Sequence, residues 1–341
     1  MSRDITIKDV AQKAKVSEAT VSFVLNNRNN IREETRQRVL KVIEKLNYHP
    51  KRTARGLASK KSGNIGFILT DAHFSRSEPF YTKIFLGTEF EARKYNYYIL
   101  LTTVSNTFST NEIPRFLLEK DVDGIILAGR VSTKLIDYIQ KLALPLVLVD
   151  FYVPRSRAST VLIDNEHGAF EAVTHFIRHG HRRLAFIGGD LNHPSISERL
   201  QGYLRALEES GIEFIPELAI TDEIYTGSED GHKAAKKLLA VNPRPTAIFA
   251  ANDAMAIGAM KCLKEHGLRV PEEVAVIGFD DIEDDFHIEP HLTTMRVPKE
   301  ELGALAVRRI VEMIEAGKPG ITTNHIPVEL VVRKSCGTHR Q

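Results

Sequence analysis

This sequence contains no tryptophan and only two cysteines among its 341 residues, and aromatic side chains make up 7% of it. Cys262 and Cys336 stand far apart, outside any C-x-x-C or Cys/His ligand spacing, so neither a disulfide framework nor a zinc site is suggested. That usage suits a reducing compartment. Long apolar runs are missing too: none approaches the roughly 18 to 20 residues that a membrane-spanning helix needs. Met1-Ser2-Arg3-Asp4 leads straight into a polar, cappable helix and shows no secretory signal. A cytoplasmic protein with no membrane partner is expected. What is present, 43% hydrophobic and 26% charged residues, excludes a disordered or fibrous chain and allows two or three separate cores.

The net charge of +2 conceals an asymmetry. Met1–Ser62 carries 15 Lys/Arg against 6 Asp/Glu, a surplus of nine positive charges, while the remainder carries 31 against 38. A short basic module calls for a polyanion, and nucleic acid is the commonest such partner.

Within that module Thr6, with Asp9 three places on, forms a capping-box-like start, and Val10, Ala11 and Ala14 follow at helical spacing, which predicts a helix from about Ile7 to Lys13. Ser17 is a ready N-cap for a second helix to about Leu25, with Val21, Val24 and Leu25 on one side. A third, from about Glu33 to Leu46, places Val39, Leu40, Ile43 and Leu46 on one face to close a three-helix core. Two short helices joined by a tight turn make a helix-turn-helix, whose second helix enters the major groove with its N-terminal residues against base edges.

The string Ile7-Lys8-Asp9-Val10-Ala11, Ala14-Lys15-Val16-Ser17, Thr20-Val21-Ser22, Asn26, Thr35-Arg36, Leu46-Asn47-Tyr48 and Pro50 strongly resembles the head of the lactose-repressor (LacI/GalR) family. The likeness continues through Pro50-Lys51-Arg52-Thr53-Ala54-Arg55-Gly56-Leu57-Ala58-Ser59 and covers Ile5 to Gly337. It implies a sequence-specific transcriptional regulator, expected to be a repressor, with a helix-turn-helix head at 1–49, a hinge at 50–62 and a two-lobed sensor at 63–341. The implied fold is a small all-α head joined to a two-lobed α/β sensor of the type I periplasmic-binding-protein kind, built on parallel doubly wound sheets. The resemblance places Thr6, Ser17, Glu18, Ala19, Thr20, Ser22, Phe23, Asn26, Thr35, Tyr48, Ala54 and Leu57 at double-stranded operator DNA. It also implies that the hinge becomes helical only on the operator, where Leu57 is pushed between base pairs in the minor groove. Gly56 suits that behaviour, since it disfavours helix by about 1 kcal/mol relative to Ala, and insertion of Leu57 kinks the duplex.

Two positions depart from the family pattern. Phe23 replaces the usual arginine, so it cannot make a bidentate guanine contact; its ring suits a thymine methyl, and Glu18 suits a cytosine amino group. Arg32 precedes Glu33 where a small capping residue is usual, so the third helix is expected to be less well capped.

Beyond Asn64 short apolar runs alternate with helical stretches. Ile65–Leu69, Tyr98–Leu101, Gly124–Leu127 and Leu146–Val149 read as buried parallel strands, followed by a second series at Leu184–Ile187, Ala247–Ala250 and Val274–Ile277. Two doubly wound lobes follow, an N-terminal one at about 63–163 and 291–325 and a C-terminal one at about 164–290 and 326–341. Ligands bind outside the carboxyl ends of such strands, where Asp71, His73, Asp150, Phe151, Asp164, Asn165, Asn252, Asp253, Asp280 and Asp281 stand; short polar residues there are also ordinary helix caps. The resemblance sharpens the choice through Glu198-Arg199-Leu200-Gln201-Gly202-Tyr203, Ala251-Asn252-Asp253-Ala254-Met255-Ala256 and Val276-Ile277-Gly278-Phe279-Asp280-Asp281. It implies effector contacts from Arg199, Asn252 and Asp280, with His73, Tyr81, Phe151 and Asp164 as further candidates. Side chains matched to hydroxyls outnumber ring-stacking ones, which favours a sugar or sugar derivative over a nucleobase. A homodimer is expected from the family and the palindromic operators it meets, and no apolar heptad tail follows Val332 to build a larger coiled-coil assembly.

Two other classes compete. A solute-binding transport receptor shares the two-lobed fold but leaves the basic head unexplained. An enzyme finds no trustworthy site: Gly188-Gly189 lacks the G-x-G-x-x-G spacing, Ser195 and Ser197 sit in no G-x-S-x-G elbow, and His179-Gly180-His181 reads as a helix ending at a glycine. His73, His167, His193, His287 and His291 could meet in space as a metal site, an alternative set against the expectation of no catalytic residue, cofactor or metal.

Overall fold

The head begins as its local chemistry dictates. In α1 (Ile7–Ala14) the Thr6 amide donates to Asp9 Oδ2 at 2.7 Å, and the Asp9 amide donates back to Thr6 Oγ1 at 3.4 Å, completing the capping box. Lys15 ends that helix in the left-handed conformation, and Ser17 opens α2 (Glu18–Leu25) by accepting the Thr20 amide at 3.1 Å. Arg32 contributes no side-chain cap to α3 (Glu33–Leu46), as its identity implies, although Glu33 and Glu34 in the first turn favour the helix dipole. The three helices close over Val10, Ala11, Ala14, Val21, Val24, Val39 and Tyr48. Leu40 is not in that core but 42% exposed; Val39, Ile43 and Leu46 follow i, i+4, i+7, and Leu40 is turned about 100° away from them.

These coordinates come from a computed structural model that describes residues 5–25, 31–48, 61–71, 80–105, 112–317 and 320–337. The chain divides into two units, Met1–Ser62 and Gly63–Gln341. Asn26, Ala54, Leu57 and His73, with most of the linker 50–62, lie outside the described residues.

The second unit holds two six-stranded sheets. The first has the order β11-β5-β4-β3-β1-β2, all parallel, from β1 (Asn64–Thr70), β2 (Tyr98–Val104), β3 (Gly124–Ala128), β4 (Leu146–Val149), β5 (Ser159–Ile163) and β11 (Thr323–Ile326). The second has the order β12-β10-β9-β8-β6-β7, from β6 (Leu184–Ile187), β7 (Ala219–Ile220), β8 (Ala247–Ala250), β9 (Ala275–Asp280), β10 (Thr293–Arg296) and β12 (Glu329–Val331), with only β12 antiparallel. Each is doubly wound, with its switch point between β1 and β3 or between β6 and β8.

Two expectations change here. Thr293–Arg296, expected in the N-terminal lobe with the rest of 291–325, pairs with β9 and belongs to the second sheet; the chain crosses back only after Arg296. Four residues with no distinctive pattern carry no sign of which sheet will accept them. The run at Tyr98 is not a buried strand either: β2 is the sheet edge, and Tyr98 and Leu101 are exposed. An apolar run reads the same in a central strand and at an edge.

The helices cover the sheets by close approach. In the N-terminal lobe, which also holds α5 (Arg115–Leu118) and α6 (Thr133–Lys141), α4 (Phe80–Lys94) packs on α11 (Lys299–Ala316), and a Cβ on Gly303 would lie 2.0 Å from the Ile84 carbonyl oxygen, so only glycine allows that crossing. In the C-terminal lobe α7 (Asn165–Arg178) packs on α8 (Pro194–Glu209), and α9 (Ser228–Leu239) on α10 (Asp253–Glu265). No helix among the described residues is long and apolar enough to cross a membrane.

Candidate ligand cleft and nucleic-acid interface

The carboxyl ends of both sheets face one cavity of about 630 Å³, within the usual range for small-molecule sites. The first lobe lines it with Phe80 and Tyr81 from the start of α4, with Arg130, Val131, Ser132 and Thr133 after β3, and with Asp150 after β4. From the second lobe come Asp190, His193, Ser195, Ile196 and Arg199 after β6, the segment Ile224–Thr226, Asn252 after β8 and Asp280 at the end of β9. Strand-end geometry therefore collects the site from many separate stretches of chain.

Arg199 is the most heavily engaged side chain. It is 4% exposed; its Nε donates to Asn165 Oδ1 at 2.9 Å, Nη1 to the Ala251 carbonyl and Nη2 to Asp280 Oδ1 at 3.3 Å. The guanidinium also lies 3.6 Å from the centre of the Phe279 ring. Charge pairing, hydrogen bonding and stacking together hold a desolvated cation in one orientation. Asn165 is itself held, since its Nδ2 donates to Glu198 Oε2 at 2.9 Å. Asn252 caps α10 by accepting the Met255 amide at 2.9 Å, and its Nδ2 donates to the Thr226 carbonyl at 3.1 Å.

Across the cleft Asp150 is buried, with φ of 64°, and accepts the Tyr81 hydroxyl at 2.8 Å and the Ser195 hydroxyl at 3.4 Å. Burial pushes the Asp150 carboxyl above the usual carboxylate range, against the opposing pull of Tyr81, Arg199 and Ser195. The Tyr81 phenol is pushed well up by burial and by the Asp150 charge, so it stays a donor. His193 is driven down to about 4 by burial and by the nearby Arg199 and Arg130 charges, leaving the ring neutral near pH 7. The Ser195–Asp150 bond joins the two lobes, as do the Arg130 Nη1 bond to the Asn192 carbonyl at 3.4 Å and the Lys83–Glu283 ion pair at 3.0 Å.

Of the candidates read from sequence, Tyr81, Arg199, Asn252 and Asp280, with the strand-end Asp150, line the cavity. Phe151 does not: the residue is buried in the apolar cluster with Leu117, Val131, Leu135 and Leu148, because the left-handed turn at Asp150 gives the cavity to the carboxylate. Asp164 does not either; it caps α7 by accepting the His167 amide at 3.3 Å. Arg130, Ser132, Thr133 and Asp190 escaped the sequence reading, which weighed His193 and Ser195 only as metal ligand and nucleophile, although the strand-end rule points to all six once it is applied to β3 and β6. Among the described residues no group of three or more His, Cys, Asp or Glu is arranged to hold a metal.

On the head, Ser17, Glu18, Ala19 and Phe23 are exposed along α2, with Phe23 at 39%, and Thr6 is exposed ahead of α1. Thr20, Ser22 and Thr35 are half-buried. Tyr48 lies instead in the head's core, 6% exposed.

Residues 6–51 match the family model for bacterial regulatory proteins of the lacI family, and residues 173–336 match the periplasmic binding protein-like domain. Over 335 residues the chain is 36% identical to catabolite control protein A of Priestia megaterium, covering 97% of this chain and 99% of that one. It belongs to the lacI family. Among solved structures, the transcriptional regulator CelR in complex with cellobiose aligns at a TM-score of 0.73 with 31% identity, over 97% of this chain and 99% of that one. The lac repressor dimer bound to operator and the anti-inducer ONPF aligns at 0.80 with 28% identity, over 98% and 99%. As a lacI-family protein the chain is a DNA-binding transcriptional regulator controlled by a small molecule, and not an enzyme.

Proposed function

We propose that the cleft binds a sugar or sugar derivative and that occupancy sets the head's affinity for operator DNA, making the chain a cytoplasmic, metabolite-controlled repressor. The observation that carries the effector class is the lining itself. Asp150, Asp280, Asn252, Arg199, Ser132, Thr133 and Ser195 offer acceptors and donors from both lobes, the pattern a polyhydroxylated ligand satisfies. A cellobiose-bound relative of the same fold supports the same class. In this reading Tyr81, Arg199, Asn252 and Asp280 contact the effector, and the contacts joining the lobes shift with its binding. An effector acts only through unequal affinity for the two lobe arrangements; coupling of about 1 to 3 kcal/mol changes operator affinity roughly 5- to 150-fold.

On DNA, Thr6, Ser17, Thr20, Ser22 and Thr35 serve as phosphate anchors, Glu18, Ala19 and Phe23 meet base edges, and Leu57 wedges the centre of the site. Homodimerisation is supported by exposed apolar residues on adjoining elements of the first lobe, Leu86 and Phe90 on α4 and Tyr98 and Leu101 on β2. A single-chain protein seldom leaves such a patch uncovered.

A thermal-shift screen of the full-length protein against sugars, sugar phosphates and purines tests the effector class. Stabilisation by a carbohydrate is expected; stabilisation by a purine alone overturns the assignment. Selection of operators from random duplexes tests the head: a half-site with thymine opposite Phe23 is expected, and no preference for any duplex over bulk DNA returns the chain to the solute-receptor reading.

A further inference from the structure

Behind the cleft two carboxyl groups meet out of reach of water. Asp253, at the start of α10, is buried and receives two donors: the Ile282 amide reaches its Oδ2 at 3.1 Å, and the Thr294 hydroxyl reaches Oδ1 at 2.5 Å. Gly278 on β9 makes room for it, since a Cβ there would lie 2.1 Å from Asp253 Oδ1. Asp285, on the short turn Glu283–Phe286, is 0% exposed, and neither of its oxygens receives a hydrogen bond from an amide or hydroxyl donor. What its carboxyl touches is the carboxyl of Asp253. The nearest cation, Arg333, has Nη1 3.5 Å from Asp285 Oδ2, while its Nη2 donates to Asp281 Oδ1 and its Nη1 to the Leu292 carbonyl at 2.7 Å.

Two carboxylates in contact in a dry interior cannot both be charged; one must keep a proton, which then bridges them. The donors decide which. Asp253, with two of them, carries the charge, and Asp285, with none, carries the proton and donates it to Asp253. We propose that Asp253 and Asp285 share one proton and that this acid pair positions the Asp280–Asp281 turn of the cleft.

The link from pair to turn is short. Asp280 and Asp281 have φ of 119° and 56°, a left-handed stretch without glycine that survives only where its surroundings hold it. Two of its holders are the pair's own partners, the Ile282 amide on Asp253 and Thr294 Oγ1, which accepts the Asp281 amide at 3.4 Å; the third is Lys299, whose Nζ donates to the carbonyls of Asp280 and Asp281. Asp280 then presents its carboxylate to Arg199. The charged groups around the pair are Asp280 at the end of β9, Asp281 just after it, Arg296 on β10, Lys299 on α11 and Arg333 after β12. Burial comes first in raising both carboxyls above their usual range, followed at Asp253 by the Asp280 charge and at Asp285 by the Asp253 charge. Asp285 is thus a positioning residue; that the turn serves an effector rests on the cleft reading above, and the shared proton does not.

The test uses the full-length protein, its Asp285→Asn variant, which keeps a neutral donor toward Asp253, and its Asp285→Ala variant, which does not. Folded, the pair holds one proton from neutral into alkaline pH, whereas the unfolded carboxylates hold none, so wild-type stability falls as pH rises. Between about pH 7 and about pH 9 the unfolding constant of wild type relative to Asp285→Asn should rise about tenfold per pH unit. Infrared difference spectra at neutral pH should show a protonated carboxyl band that Asp285→Asn removes. Hydrogen exchange at the 280–286 amides should stay slow in Asp285→Asn and quicken in Asp285→Ala. Parallel pH profiles with no such band overturn the shared proton; unchanged exchange in Asp285→Ala overturns the positioning role. None of these readouts needs the effector, so a failed sugar screen leaves them intact.

Discussion

At the scale of single residues the cleft turns on Arg199, whose fork is committed in three directions and stacked on a fourth. Lysine keeps the charge but can neither fork nor stack. Arg199→Lys should therefore lower effector affinity by tenfold or more, while Arg199→Ala should also cost about 3 to 5 kcal/mol of stability by leaving half-buried Asp280 without its cation and the buried Asn165 and Ala251 carbonyl without their donor; ligand titration and denaturant melts separate the two. His193 gives a pH prediction. Its folded value, about 4, lies below the ordinary imidazole value, so the unfolded chain takes up the proton first and stability falls as pH drops through that interval. His193→Gln should flatten that fall, measured as the acid dependence of the melting midpoint; an unchanged acid profile contradicts the assignment. Residue identity made Arg199, Asn252 and Asp280 legible through the family likeness. Phe151 and Asp164 misled because a residue beside a strand end can face core, cavity or cap, and one dihedral decides which.

At the scale of elements, most of the structure follows from local chemistry. Capping at Thr6 and Ser17 and the i, i+4, i+7 spacing of α3 place the head helices within a residue of their expected ends. Strands were legible where apolar runs are continuous, but not at β5, β7, β10, β11 and β12, which are two to five residues long or carry polar side chains. Helix packing depends on glycines that no periodicity announces. Gly303→Ala would drive a methyl group into the Ile84 carbonyl, and the parting of α4 from α11 should cost about 1 to 3 kcal/mol, seen as a lowered midpoint with operator binding retained below it.

For the whole molecule, regulation requires that what happens in the cleft reaches the DNA. Leu57→Ala should weaken operator binding by removing the wedge while leaving the effector-induced thermal shift unchanged; loss of both in one variant would place Leu57 in the folding of the sensor instead. Contacts between the lobes at Ser195–Asp150, Arg130–Asn192 and Lys83–Glu283 are long or solvent-facing. The two solvent-facing ones are worth about 1 kcal/mol or less each, and the long buried Ser195–Asp150 bond roughly 1 to 2 kcal/mol, so a ligand of ordinary affinity is able to rearrange them.

Sequence alone determined the helical head, the alternation that makes two doubly wound lobes, and the family motifs of the cleft, because capping, periodicity and strand burial are read within a few residues of chain. Tertiary structure decided the rest. Which sheet receives β10, which side of a strand end opens into the cavity, that an apolar strand lies at an edge, and that Asp253 meets Asp285 all depend on contacts between distant segments, and such contacts leave no period in the sequence.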